Sequence, residues 1–212
     1  MELREGEHVG TLVRPPGDIL GGVVIAHGGQ DDGRRFFLAE AESFAARGFA
    51  VVLPVTRLPD HGDIDASTTA IDRSVRTYRW ALDVLSEHTD RLGFFGHSAG
   101  AFLGTVLAAA DQRVSRYVFA GYGSGTLTRL PGEQPTAYLT ALERFDPRHS
   151  LARRHPARIL VQHGRHDDQV RRDEALALHA AAGPDAEWAE YDCGHSVDTP
   201  AARADRLAFM TR

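Results

Sequence analysis

The run Gly96-His97-Ser98-Ala99-Gly100 constrains this chain more than any other stretch, because it joins an apolar strand, Arg91 to Phe95, directly to a helix rich in alanine and leucine, Ala99 to about Ala109. A strand that turns into a helix with no intervening loop forces the two backbones close together. Glycines two positions either side of the serine leave room for that approach, and the turn pushes the Ser98 hydroxyl out beyond the sheet. The helix that follows is suited to burial. Ser98 is therefore a candidate nucleophile in a layered α/β architecture.

The rest of the chain supports that architecture. Short apolar strands alternate with amphipathic helical stretches, the pattern of a mostly parallel sheet covered on both faces. His8 to Arg14 reads as an edge strand, Gly22 to Ala26 as the first core strand and Ala50 to Leu53 as the second. A helix from Phe36 to Arg47 places Phe37, Ala41, Phe44 and Ala45 on one face and ends at Gly48. The polar stretch Asp60 to Thr69 leads into a long helix, about Thr69 to Glu87, whose Ile71, Val75, Tyr78, Leu82 and Leu85 form a core stripe. Arg116 to Ala120, Arg158 to Gln162 and Glu187 to Tyr191 read as further strands, with helices at about Arg171 to Ala182 and Ala201 to Met210. No linker, repeat or low-complexity tract divides the 212 residues, so one domain, 1–212, is expected.

Composition narrows the function. A net charge of -5, with basic residues scattered rather than clustered, gives no electrostatic case for nucleic acid or an anionic membrane. One cysteine, Cys193, precludes an internal disulfide and suits a small apolar filler. Met1 to Glu7 is charged and has no apolar core, and nothing approaches a membrane span, so a cytoplasmic protein is expected.

Two loops fall where Ser98 would need partners. The strand ending at Gln162 runs into His163-Gly164-Arg165-His166-Asp167-Asp168-Gln169-Val170, placing acids at the carboxyl end of a strand, where open α/β sheets build their sites. Asp167 and Asp168 are adjacent on an extended loop, so their side chains point opposite ways and only one can face a given partner. The strand ending at Tyr191 runs into Asp192-Cys193-Gly194-His195-Ser196, with Gly194 freeing the backbone to project His195. A histidine can take a serine proton while a buried carboxylate fixes its tautomer. Eleven histidines are present, yet no ligand set has zinc-like spacing, and no metal or cofactor is expected.

On these residues the chain resembles a small member of the α/β-hydrolase superfamily, with a single-domain α/β-hydrolase fold and a minimal lid. Phe145-Asp146-Pro147-Arg148-His149-Ser150, the run His163 to Val170, and Tyr191-Asp192-Cys193-Gly194-His195 resemble the dienelactone-hydrolase-like and prolyl-oligopeptidase-like esterases. The order Ser98, Asp167, His195 matches the superfamily's serine, acid, histidine order. The resemblance places the acid three residues before Val170, which selects Asp167. It also implies an oxyanion hole built from the Ala99 N–H and, in the loop His27-Gly28-Gly29-Gln30, the Gly29 N–H, with Gln30 as the substitute. His97 is expected to pack behind the site. Dienelactone hydrolases proper carry a cysteine at the elbow, so their substrate is not implied. Prolyl oligopeptidases carry a propeller that 212 residues cannot contain.

The expected activity is hydrolysis of a carboxylic ester, thioester or lactone, with transfer to another nucleophile, amide cleavage, or a binding role without turnover as alternatives. The partner is a small acyl substrate, and the protein is expected as a monomer or homodimer. In larger relatives a lid grows between Gly123 and Arg158, where only one short helix, about Thr136 to Arg144, is expected. Gln30, Tyr122, Leu127 and Tyr138 are the candidate substrate contacts, and Leu130 and Leu142 are further candidates to line the pocket. Arg34, Arg35 and Arg129 could pair with a substrate carboxylate.

Overall fold

Gly21–Ala26 and Phe49–Pro54 are buried at every residue, and Leu92–His97 at all but its last. Strands this apolar can sit only where helices cover both faces of a sheet. A computed structural model describes residues 1–29, 32–56, 63–124 and 136–212. Its strands are β1 (Glu2–Glu5), β2 (His8–Val13), β3 (Gly21–Ala26), β4 (Phe49–Pro54), β5 (Leu92–His97), β6 (Val114–Ala120), β7 (Arg158–Gly164) and β8 (Glu187–Tyr191). They form one sheet in the order β1-β2-β4-β3-β5-β6-β7-β8. The pairings from β4 through β8 are parallel, and β2 runs antiparallel to both β1 and β4.

The helices are α1 (Arg34–Ala45), α2 (Ile64–Ser86), α3 (Ala99–Ala110), α4 (Thr136–Leu142), α5 (Pro147–Ala152), α6 (Arg172–Ala182) and α7 (Pro200–Thr211). Successive strand residues point to opposite faces, and the core divides accordingly. Val24, Val52, Phe94 and Phe119 pack with Tyr78 and Leu82 of α2, Leu107 of α3 and Leu178 of α6. Val23, Val51, Phe95 and Val118 pack with Phe37 and Phe44 of α1 and with Phe209 of α7. Among the described residues, no helix is long and apolar enough to cross a membrane.

Three elements differ from the sequence expectations. His8–Val13 is not the edge, because β1 folds back against it around Gly6, whose φ of 54° closes the hairpin. β1 is mostly exposed, so it shows no apolar pattern. α2 begins at Ile64, five residues before the expected start, because the Asp63 side chain accepts the Ala66 N–H and caps it. Between β6 and β7 the described residues hold α4, a 3₁₀ turn at Glu143–Phe145, and a second short helix, α5, capped by Asp146. Tyr138, Leu142, Phe145 and Leu151 seat this segment on the core.

Candidate active site

Ser98 sits between the last residue of β5 and the first of α3 with φ 52° and ψ -119°. Side-chain-bearing residues rarely adopt that conformation, which costs about 1–3 kcal/mol and persists only where the surroundings enforce it. The surroundings are specific. Ser98 N–H donates to the Ala120 carbonyl at 2.9 Å, and the Ser98 carbonyl accepts from the Ala101 and Phe102 N–H groups as α3 begins. A Cβ on Gly96 would lie 2.5 Å from the Gly100 oxygen, and one on Gly100 would lie 2.3 Å from the Ala26 oxygen. Both glycines are required by backbone that passes too close for any side chain.

His195 follows β8 and Asp167 follows β7, so neighbouring strands deliver both to the same end of the sheet as Ser98. The His195 Nε2 lies 3.0 Å from Ser98 Oγ, and its Nδ1 lies 3.0 and 3.1 Å from the two Asp167 oxygens. A carboxylate can only accept, so Nδ1 carries the ring hydrogen and Nε2 is left to receive the serine proton. The Asp167 side chain is inaccessible, and one of its oxygens also accepts the Gln169 and Val170 N–H groups at 2.8 and 2.9 Å. Burial alone would raise its pKa. The hydrogen bonds from His195 and the two amides outweigh burial and hold the carboxyl below its ordinary value. Asp168 is exposed, and of the adjacent pair it is Asp167 that reaches His195.

The loop carrying His195 is built differently from expectation. Gly194 does not take a positive φ; Val197 does, at 47°. The glycine that matters for clearance is Gly164 at the end of β7, where a Cβ would lie 2.3 Å from the Gly194 oxygen and 2.5 Å from the Cys193 oxygen. His97 stands behind His195, and its Nε2–H donates to the His195 carbonyl at 2.9 Å. Burial is the main reason its pKa is pushed down to about 4, so the ring is neutral at physiological pH.

On the other side, His27 is buried and its Nδ1–H donates to the Gly28 carbonyl at 2.8 Å. Burial lowers its pKa as well. A trans peptide is planar, so fixing the Gly28 carbonyl turns the Gly29 N–H the opposite way. Ala99 is the first residue of α3, and its N–H has no acceptor within the helix. Ala99 follows Ser98 directly, and Gly28 and Gly29 line the same cleft as Ser98.

A cleft of about 490 Å³ opens over Ser98 and His195, walled by Gly28, Gly29, Phe36, Phe37, Gln169 and Ser196. Two of the expected substrate contacts, Gln30 and Leu127, lie outside the described residues, as do Arg129 and Leu130. The other two are corrected by the structure. Tyr122 is buried with its ring 5.8 Å from Phe102, and Tyr138 is buried with its hydroxyl 3.0 Å from that of Ser67. Both, with Leu142, belong to the core on the α2–α3 face, and none of the three is among the described residues that wall the cleft. Arg34 forms a two-pronged pair with Asp32 and also donates to Thr11, so its charge is already spent. Phe36 is the residue that sequence reasoning missed. It is 49% exposed, although large and apolar, and its place off the Phe37-Ala41-Phe44 stripe of α1 was the available signal.

No protein-family model matches the sequence, and no curated protein matches it. Solved structures do match in fold. Est1E from Butyrivibrio proteoclasticus superposes with a TM-score of 0.73 at 14% identity, covering 100% of this chain and 99% of that one. An acetyl xylan esterase from Paenibacillus sp. R4 gives 0.73 at 17% identity, covering 96% of this chain and 78% of that one. A cold-adapted esterase from an Arctic intertidal metagenomic library gives 0.69 at 15% identity, covering 99% and 96%. The chain has the α/β-hydrolase fold.

Proposed function

We propose that this protein is a serine hydrolase that cleaves an uncharged carboxylic ester, or its thioester or lactone counterpart, through an acyl-enzyme on Ser98. The observation that carries the reading is the unbroken hydrogen-bonded series Asp167–His195–Ser98, with each contact close to 3.0 Å.

In the first half-reaction Ser98 Oγ bonds to the ester carbonyl carbon as His195 Nε2 takes the hydroxyl proton. The Asp167 carboxylate stabilises the imidazolium that results. The carbonyl oxygen gains the negative charge beside the Ala99 and Gly29 N–H groups, and such a donor is worth about 3–4 kcal/mol in comparable sites. Collapse breaks the bond to the alcohol, which leaves with the proton from Nε2–H. In the second half-reaction water gives its proton to Nε2 and its oxygen to the acyl carbon, and the acid departs as Ser98 recovers its hydrogen.

The His195 side chain keeps 13% exposure, which leaves water a path to the acyl carbon, and hydrolysis then needs no second organic substrate. An uncharged acyl group is favoured because no arginine lines the cleft among the described residues, whereas the Phe36 ring faces it. Fold likeness to esterases is consistent with this chemistry and does not by itself assign it.

Labelling with a fluorophosphonate followed by peptide mass spectrometry tests the reading. One phosphonyl group on Ser98, absent in Ser98→Ala and much slower in His195→Ala, is expected alongside turnover of p-nitrophenyl acetate. A folded wild-type protein that neither labels nor turns over would refute it.

A further inference from the structure

Arg206 lies in the middle of α7 and is 1% exposed. A guanidinium so buried requires matched partners for its donors. Nε and Nη2 pair with the two carboxylate oxygens of Glu40 on α1, at 2.6 and 3.0 Å. Nη1 donates to Gln162 Oε1 on β7 at 2.9 Å and to the Val197 carbonyl at 3.1 Å. The group also lies over the Phe95 ring, 4.6 Å from its centre. Gln162 is itself fixed, since its amide nitrogen donates to the Tyr191 hydroxyl and the Ala202 carbonyl.

As a source of stability this pair is weak, because apolar residues of similar volume usually do as well as a buried ion pair. What an apolar pair cannot do is hold a carbonyl. Val197 is wholly buried and β-branched, with φ 47°, a conformation that strains such a residue. It stands two residues after His195, and its N–H closes back on the Gly194 carbonyl at 3.2 Å. The turn that presents the imidazole is therefore held at two carbonyls: His195 by the His97 ring, and Val197 by Arg206.

We propose that Arg206 is a positioning residue, anchored by Glu40, which holds the Val197 carbonyl so that the strained turn keeps the His195 ring between Asp167 and Ser98. This rests on the reading of Ser98 and His195 as the reacting pair.

Two variants test it. Arg206→Lys keeps the charge beside Glu40 but loses the fork that reaches Gln162 and Val197 together. Arg206→Met with Glu40→Leu removes both charges and the anchor. Leu85→Ala, in the core on the opposite face, serves as a control for general loss of stability. In the folded Arg206 variants, kcat for p-nitrophenyl acetate and the rate of fluorophosphonate labelling should fall by about a hundredfold, the scale of a small misplacement of a reacting group, with KM nearly unchanged. The low-field proton resonance of His195 Nδ1–H, present in the wild type and in Leu85→Ala, should disappear. If Arg206→Lys does not fold, the Met/Leu pair decides. Folded variants that keep the wild-type rates and the resonance would overturn the proposal. If the wild type is inert towards both reagents, the hydrolase reading fails instead, and the resonance alone decides Arg206: its loss supports the anchor and its persistence refutes it.

Discussion

Between pH 7 and pH 5 the folded protein should lose stability through the His97 ring in an amount that can be worked out. In the unfolded chain this imidazole has its ordinary value of 6.5, whereas burial in the fold pushes it down to about 4. The hydrogen bond to the His195 carbonyl favours the charged ring and opposes burial, the neighbouring His195 ring, 5.2 Å away, and Arg206 disfavour the charge, and Asp167 favours it a little. As pH falls through 6.5 the unfolded state takes up a proton that the folded state refuses, so the unfolded state gains. Above 6.5 both forms are neutral and the ring contributes no pH dependence. At about 1.4 kcal/mol per pKa unit, roughly 2 kcal/mol has been lost by pH 5 and roughly 3 by pH 4. His27 and His163 are also depressed by burial, so the wild-type curve falls further than His97 alone accounts for. His97→Gln isolates the term, because its amide nitrogen reaches the place of the imidazole Nε2 and can still donate to the His195 carbonyl but does not titrate. Urea unfolding of both proteins at pH 7, 6 and 5 should show the variant losing about 2 kcal/mol less than the wild type over that range. Parallel curves, differing by under about 0.5 kcal/mol, would show that the ring is not held neutral by burial.

Asp167→Asn should lower kcat by about 10³–10⁴ through loss of the correct His195 tautomer, while Asp168→Asn stays within about twofold; equal effects in steady-state assays would refute the assignment. Gly100→Ala places a Cβ 2.3 Å from the Ala26 oxygen and 2.6 Å from the His27 oxygen, backbone atoms that cannot swing aside. It should cost about 3 kcal/mol or more in chemical denaturation, and a loss below about 1 would contradict the close approach. Phe36→Ala should leave stability almost unchanged and lower kcat/KM for p-nitrophenyl octanoate about tenfold more than for the acetate, the worth of partly burying an apolar chain on one ring. The same loss on both esters would remove Phe36 from the acyl side of the cleft.

How much of this was legible in the sequence follows from the range over which each feature is determined. The inner strands carry continuous apolar runs because both faces are covered, and the elbow shows its two glycines because its clearance is local. The candidate site residues sit in loops directly after strands, where open sheets place them, so Ser98, His195 and an acid at 167 or 168 could be named from position and order, and only the family resemblance chose Asp167 over Asp168. β1 could not be seen because its residues are half in water, and the start of α2 was hidden because a capped first turn with a polar surface has no stripe. Tyr122 and Tyr138 drew attention as aromatic residues near a loop, yet the cores they fill belong to α3 and α2, which lie far from them in sequence.

The Arg206–Glu40 pair joins residues 166 positions apart, and no local window connects them. Each half nevertheless left a trace. Ala202, Arg206, Phe209 and Met210 are the buried positions of α7, with the arginine on the apolar stripe, and Glu40 lies among Phe37, Ala41 and Phe44 on the stripe of α1. A charge on a core-facing stripe cannot stay unpaired without a large cost, and the fold packs α1 and α7 on the same face of the sheet. Two opposite charges misplaced on two helices are thus a sequence-level statement that those helices meet, and what the structure adds is the third partner, the Val197 carbonyl, which turns a buried ion pair into a support for the His195 turn.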